Sequence, residues 1–270
     1  YWVSYPDMVK IAEGKPVILE SSAESEFKVT PEQIRNAMTE RTRLVVLNSP
    51  SNPSGKAYSR EELAAIGEVL EQRPDVMIAT DDMYEHILWN GEFVNIVNAT
   101  PSLKDRTFVL NGVSKAYSMT GWRIGYAAGP AEGIGAMKKI QSQSTSNPAS
   151  ISQAAATAAL NGPQDCVGEM LKAFRERHDY VVKALNQLPG VECIESDGTF
   201  YAFPGFQGAI EATPGLSNDQ ELAEHLLQEA GVALVPGSAF GTPGHMRLSF
   251  ATSMENLENA IERLGKVLKT

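Results

Sequence analysis

The 270-residue chain is 43% hydrophobic and 21% charged, a balance typical of a globular protein large enough for two domains. Its formal net charge of -10 argues against a nucleic-acid or membrane surface, since both need clustered Lys and Arg. No apolar stretch is long enough to span a bilayer. The two cysteines, Cys166 and Cys193, are far apart and form no metal-ligand pattern, which fits a cytoplasmic protein.

Strands and helices are predicted to alternate along the chain. Residues 5–12 have a helical pattern, and residues 16–19 are expected to form a strand. Capping boxes at Thr30 and Ser59 each predict the start of a helix. Short apolar runs, typical of strands buried on both faces, occur at 44–47, 76–79 and 107–110, and the chain is apolar again at 124–128.

This alternation predicts an α/β fold with a mostly parallel sheet and helices on both faces. A long helix is expected from about residue 163 to residue 188, and shorter helices follow it together with strands at 191–194, 200–203, 232–235 and 246–250. We therefore expect a large domain, residues 1–162, and a small α+β domain, residues 163–270. Within the long helix, His178 lies on a polar stretch and is expected to be solvated.

Polar residues follow three of the predicted strands. Asn52 lies in the turn-rich loop 48–55, Asp81 follows the run 76–79, and Lys115 follows the run 107–110. Ligands of parallel α/β sheets bind at the carboxyl ends of the strands, so these three side chains are expected on one rim. Each has a simpler interpretation by itself, because such a lysine is usually exposed and such an aspartate usually forms a turn or cap.

The combination suggests a pyridoxal 5'-phosphate (PLP) enzyme. A lysine amine can form a Schiff base with an aldehyde. PLP then needs a carboxylate at its pyridine nitrogen, donors to its ring oxygen, a cation for its phosphate, and a guanidinium for the substrate carboxylate. The candidates, in that order, are Asp81, Tyr84 with Asn52, Arg123 and Arg247.

Arg247 is the candidate with the clearest alternative. It sits among apolar residues on the predicted strand 246–250, and a buried arginine needs an anion. That anion could be a substrate or a carboxylate of the protein core.

The order of the motifs resembles that of class I aminotransferases of PLP fold type I, the family of the aspartate aminotransferases, from residue 1 to the C-terminus. Four segments carry the resemblance: Asn-Ser-Pro-Ser-Asn-Pro-Ser-Gly at 48–55, Thr-Asp-Asp-Met-Tyr-Glu at 80–85, the lysine motif at 112–125, and Pro-Gly-Ser-Ala-Phe-Gly at 236–241 with the arginine that follows it. The resemblance implies a fold-type I large domain, incomplete at its N-terminus, and a small C-terminal domain.

The resemblance also implies roles for individual residues. Lys115 would be catalytic and carry PLP as a covalent aldimine, with Asp81, not Asp82, as the pyridinium partner and Tyr84 as the ring-oxygen donor. The remaining roles concern binding. The cofactor would also contact Trp2, Asn52 and Arg123, and the substrate would contact Trp2, Asn52 and Arg247.

The implied reaction is transamination between an L-amino acid, aspartate above all, and a 2-oxo acid such as 2-oxoglutarate or oxaloacetate. The wording of the lysine motif is most similar to the branch that also accepts prephenate. The full-length protein is expected to be a homodimer. The alternatives are a PLP-dependent β-lyase or related fold-type I enzyme, and a PLP-binding effector domain of a transcription regulator.

The chain departs from the family in two places. Gly112 stands where many relatives have a phosphate-binding serine. In addition, the family's phosphate-cup loop lies further upstream of the lysine motif than this chain extends, so the 270 residues alone are expected to bind PLP weakly or not at all. Full occupancy, measured by the absorbance of the Lys115-bound cofactor, would contradict this expectation.

Overall fold

The computed structural model of the protein describes residues 1–268, which form two compact units. The first unit contains residues 1–29, residues 51–56 and the described residues from 172 onward. The second unit contains residues 30–50 and 57–171. The predicted domain boundary between residues 162 and 163 stays a prediction.

Ten helices and seven strands form in the described part of the chain. The helices are α1 Ser4–Ile11, α2 Pro31–Ala37, α3 Arg60–Glu71, α4 Ile96–Ala99, α5 Ala131–Ser144, α6 Ser150–Asn161, α7 Asp165–Leu185, α8 Gln207–Ala212, α9 Asp219–Ala230 and α10 Met254–Val267. The strands are β1 Leu44–Asn48, β2 Met77–Asp81, β3 Thr107–Gly112, β4 Gly125–Ala128, β5 Tyr201–Ala202, β6 Val235–Pro236 and β7 Met246–Ser249. No helix within residues 1–268 combines the length and apolar content that a membrane span requires.

The second unit is built on a four-stranded sheet in the order β1-β2-β3-β4. The first two strand pairs are parallel, and β4 joins β3 in antiparallel orientation. The inward side of α3 buries Leu63, Ile66 and Leu70, and Ile78 of β2 is fully buried. The mostly parallel α/β fold predicted from the sequence is confirmed.

The two predicted capping boxes are confirmed. At the start of α2, the Gln33 amide donates to Thr30 Oγ1 at 3.2 Å, and the Thr30 amide donates to Gln33 Oε1 at 2.8 Å. Ser59 and Glu62 exchange the same pair of bonds at the start of α3. Each box satisfies backbone donors that a helix start leaves unpaired, which is why these short signals predict the helix boundary well.

The first unit holds a small antiparallel sheet in the order β5-β7-β6. Its core contains Phe206, Phe240 and Phe250, each nearly inaccessible, together with Leu222 of α9. An amphipathic α10 closes this core with Leu257 and Leu264. The α+β character predicted for the C-terminal part of the chain is therefore present.

Three local predictions are wrong. Residues 16–19 form no strand, and Val17 is 64% exposed because no described strand lies beside it. The predicted strand 191–194 is reduced to an isolated bridge between Glu192 and Gly205. His178 is buried rather than solvated, because its Nε2 accepts a hydrogen bond from the backbone amide of Ser196 at 3.0 Å.

Candidate active site

Asp81 and Lys115 lie at the same edge of the large sheet. Asp81 is the last residue of β2 and pairs in register with Leu110 of the parallel strand β3. Lys115 comes three residues after the end of β3, in a turn in which the Ser118 amide donates to the Lys115 carbonyl at 3.2 Å. Because parallel strands end at one edge, the carboxylate and the amine both belong to the edge at which α/β sheets bind ligands.

The backbone around Asp81 is fixed by local hydrogen bonds. Asn48, at the end of β1, donates through Nδ2 to the Asp81 carbonyl at 2.9 Å. The Met83 amide donates to Asp81 Oδ1 at 3.2 Å. Tyr84 follows in the same turn and is only 4% exposed. These bonds restrict the carboxylate to few orientations, as a partner for a fixed ligand atom requires.

Asp82 occupies a different environment from Asp81. It is 2% exposed, accepts a hydrogen bond from Thr80 Oγ1 at 2.6 Å and accepts another from Asn95 Nδ2. Burial raises the pKa of the Asp82 carboxyl to about 6, and the nearby charge of Glu85 acts in the same direction. The Asp82 side chain is therefore committed to an internal network.

We expect Asp82 to make the stability of the protein depend on pH. The folded-state pKa of about 6 is above the ordinary value of 3.8, so the stability contributed by the protonated form is present at low pH and lost as pH rises through 6. The free energy of unfolding of the wild type minus that of Asp82→Asn should be about 1 kcal/mol larger near pH 5 than near pH 7.5. Urea unfolding across this range measures it. A difference that does not change with pH would show that the carboxyl titrates normally.

Arg123 and Gly112 lie on either side of the Lys115 turn. Arg123 is exposed, has a left-handed backbone at φ 55, and donates from Nη1 to the Thr120 carbonyl at 2.8 Å. A Cβ added at Gly112 would lie 2.9 Å from the Ile124 carbonyl oxygen. The serine present in many relatives therefore does not fit here unless β3 and β4 move apart.

Arg247, on β7 of the first unit, is held by a side chain distant in sequence. Its Nη1 donates to Asn52 Oδ1 at 2.9 Å. The guanidinium carbon lies 4.4 Å from the ring centre of Tyr201 and 4.8 Å from that of Phe240. The Arg247 Nε is buried and has no hydrogen-bond partner among residues 1–268. A guanidinium that is positioned but not neutralised is suited to bind an anion.

The loop that carries Asn52 is compact. The Ser51 amide donates to the Lys56 carbonyl at 2.9 Å, and the Gly55 amide donates to the Ser51 carbonyl at 2.8 Å. Asn52 itself is 7% exposed. The turn-rich composition predicted this loop, and the structure adds that it belongs to the first unit with Arg247.

Trp2 lies just before α1, in the first unit. Its ring meets Tyr5 edge-on, with 5.5 Å between the ring centres and 85° between the ring planes. The Trp2 side chain remains 37% exposed, so an apolar ring face is available for contact with a flat ligand.

Three side chains that shape this part of the molecule were not found from the sequence: Lys56, Asp197 and Tyr201. Lys56 and Asp197 are 8% and 7% exposed and bond to each other, although 141 residues separate them. A lysine in a turn and an aspartate before a glycine are ordinary surface patterns. Only the apolar run 200–203 was a usable signal, and it predicted a strand at Tyr201 but not the contact of its ring with Arg247.

By chemical type, the side chains fit PLP. The second unit supplies an amine, Lys115, and an oriented carboxylate, Asp81. It also supplies a phenol hydroxyl, Tyr84, and a guanidinium, Arg123. A Schiff-base amine, a pyridinium partner, a ring-oxygen donor and a phosphate ligand are the groups that this cofactor requires.

Comparison with known proteins identifies the family. Residues 1–264 match the family model of aminotransferase class I and II. The chain is 58% identical to an aspartate/prephenate aminotransferase of Nitrosomonas europaea, over 99% of this chain and 69% of that protein. It is 51% identical to an aspartate aminotransferase of Rhizobium meliloti, over 98% of this chain and 66% of that protein.

A solved structure shows the same fold. The crystal structure of the aspartate aminotransferase from Rhizobium meliloti superposes with a TM-score of 0.94 at 50% identity, covering 99% of this chain and 68% of that chain. The chain thus spans about two thirds of the length of these relatives. Family model, sequence relatives and fold agree over nearly every residue, and the chain belongs to the aminotransferase class I and II family, whose members depend on PLP.

Proposed function

We propose that this protein transfers the amino group of L-aspartate to a 2-oxo acid with PLP as cofactor. The observation that carries the proposal is the position of an oriented carboxylate, Asp81, and of the Lys115 amine at the same edge of the sheet. The names of the relatives support aspartate as the amino donor. The Nitrosomonas europaea relative, named for aspartate and prephenate, supports prephenate as a second acceptor.

Each proposed cofactor ligand has a chemical task. Asp81 keeps the pyridine nitrogen protonated, since a carboxylate favours the charged form of a neighbouring base. The Tyr84 hydroxyl would donate a hydrogen bond to the ring oxygen. Asn52 would be a further cofactor ligand through its side-chain amide, whose Oδ1 accepts from Arg247 Nη1. Arg123 binds the phosphate. When bound, PLP supplies an electron-withdrawing ring that stabilises negative charge on the substrate Cα.

The remaining residues act on the substrate. Arg247 pairs with the α-carboxylate through its Nε and the guanidinium edge that Asn52 leaves open. Trp2 offers a ring face to the cofactor and the substrate. Lys115 would hold the cofactor at rest and, when its amine is free, would take the proton from the substrate Cα and hold it as an ammonium until it is returned.

The function is tested with the full-length protein and a series of substrates. We expect aspartate without an oxo acid to convert the absorbance of the lysine-bound cofactor to that of pyridoxamine phosphate, with one oxaloacetate released per site. Adding 2-oxoglutarate or prephenate should then restore the first spectrum. Ammonia release without accumulation of pyridoxamine phosphate would instead identify a lyase. Tyrosine as amino donor measures the breadth of specificity.

A homodimer and a cytoplasmic location belong to the same proposal. Both expectations follow from the chain's membership of the aminotransferase family. Light scattering of the full-length protein should give twice the mass of one chain, and a monomer that transaminates aspartate would overturn the homodimer.

A further inference from the structure

We propose that Lys56 and Asp197 form a positioning pair that sets the orientation of Arg247 toward the substrate carboxylate. The inference rests on the proposed function of Arg247 and adds two residues that contact neither cofactor nor substrate. Lys56 Nζ lies 3.1 Å from Asp197 Oδ1, and both side chains are nine-tenths buried. A buried ion pair makes a strongly directional connection between two segments, because separating it leaves a charge without a partner.

The pair joins the Asn52 loop to the segment before β5. The amides of Asp197 and Gly198 both donate to the Gly55 carbonyl at 2.9 Å, next to the side-chain pair. Gly55 has a φ of +69, and a Cβ at this position would lie 2.5 Å from the Cβ of Ser196. The loop and the segment are thus in backbone contact, and the ion pair fixes their register.

The charges of the cluster favour a permanently ionised lysine. Lys56 Nζ also lies 2.9 Å from Glu26 Oε1, so two carboxylates face one ammonium. Burial alone would lower the pKa of Lys56, but the hydrogen bonds to Glu26 and Asp197 outweigh it and the pKa is raised. The hydrogen bond from Lys56 also lowers the pKa of Glu26.

The Lys56–Asp197 pair is called the clamp below. The two segments that it joins both contribute a residue that contacts Arg247. Asn52, four residues before Lys56, accepts the hydrogen bond from Arg247 Nη1 at 2.9 Å. Tyr201, four residues after Asp197, lies beneath the guanidinium at 4.4 Å. Movement of the loop relative to β5 would therefore shift the hydrogen-bond acceptor of Arg247 against the aromatic ring that supports it.

A second anchor holds the Asp197 side of the clamp. The Ser196 amide donates to His178 Nε2 at 3.0 Å, and His178 Nδ1 contacts Asp179 Oδ1 at 2.9 Å. The segment before β5 is thereby tied to α7. With one side of the clamp fixed, the loop is the side that should move when the pair is broken.

The test compares Lys56→Gln and Asp197→Asn with a surface control, all in the full-length holoenzyme. Lys266→Gln is the control, because Lys266 pairs with Glu262 on α10 and both side chains are 64% exposed. We expect both clamp variants to raise KM for aspartate about tenfold while kcat changes less than about threefold, since Lys115 and Asp81 are untouched. The control should change neither constant.

Binding of succinate, a dicarboxylate that cannot transaminate, gives a readout without turnover. Calorimetry should show that the dissociation constant for succinate is about tenfold larger in both clamp variants, with cofactor content unchanged. A purely structural pair would lower the melting temperature and leave both KM and succinate affinity as in the wild type, which would overturn the inference. If Lys56→Gln does not fold, Asp197→Asn and the milder Glu26→Gln decide the question by the same criteria.

The two proposals fail in different ways. A wild type that binds succinate in a Lys56-dependent manner but does not transaminate aspartate would refute the proposed function and leave the clamp standing. A wild type that transaminates aspartate, with clamp variants of unchanged KM and succinate affinity, would refute the clamp alone.

Discussion

Lys115→Ala should reduce transamination of aspartate by about four orders of magnitude, because the variant loses both the amine that attaches the cofactor and the base that moves the Cα proton. The side chain is half-buried in a turn that backbone bonds maintain, so its removal should leave the fold intact. Steady-state turnover and the absorbance of the lysine-bound cofactor both measure the loss. The absorbance should disappear even where PLP remains bound.

A lysine from the same unit serves as the matched control. Lys138 is exposed on α5, and Lys138→Ala should keep wild-type turnover and spectrum. Lys115→Arg tests the amine itself, because a guanidinium keeps the positive charge but stays protonated at working pH and cannot act as the base. Turnover by Lys115→Ala or Lys115→Arg above about a tenth of the wild-type value would remove Lys115 from the mechanism.

Arg247→Lys should lower kcat/KM for aspartate about 100-fold, mostly through KM, because an ammonium cannot bind Asn52 and a carboxylate in the same bidentate geometry. In the wild type, the bond to Asn52 Oδ1 occupies Nη1, and Nε remains without a described partner. The guanidinium carbon lies 4.4 Å from the ring centre of Tyr201 and 4.8 Å from that of Phe240, and both rings support the group. Steady-state kinetics with aspartate and 2-oxoglutarate as substrates measure the change in kcat/KM.

A second arginine that contacts an aromatic ring controls for packing. Arg177 of α7 lies 5.8 Å from the ring centre of Phe174. Arg177→Lys should alter stability by no more than Arg247→Lys and should leave kcat/KM unchanged. Equal losses of kcat/KM in the two variants would mean that arginine stacking, and not carboxylate binding, explains the result.

Local signals predicted much of the fold. The capping boxes at Thr30 and Ser59 set helix starts correctly, because a cap is decided by residues three positions apart. The apolar runs at 44–47, 76–79 and 107–110 all became strands of one sheet, since short apolar runs are typical of sheet strands, although Leu44 of β1 remains 47% exposed. The edge residues Asp81 and Lys115 followed from the parallel order of those strands.

Local sequence patterns gave wrong predictions where the burial or pairing of a residue depends on a segment distant in sequence. His178 was expected in solvent because its sequence neighbours are polar, yet the Ser196 amide reaches its ring and the site is buried. Residues 16–19 have strand composition but no described partner strand, so they form no strand. Burial of a polar residue needs a hydrogen-bond partner, and the sequence does not show which remote residue supplies one.

The candidate site likewise contains features that neighbouring residues set and features that remote segments set. The amine of Lys115, the carboxylate of Asp81 and the guanidinium of Arg247 were identified, in this chemical role and order, from the sequence. Those features depend on strand ends and motif wording, which are local. Only the tertiary structure decided that Arg247 rests on Asn52, 195 residues away, and that Lys56 and Asp197 join their segments. Such contacts depend on how remote segments pack, and packing is a property of the whole core.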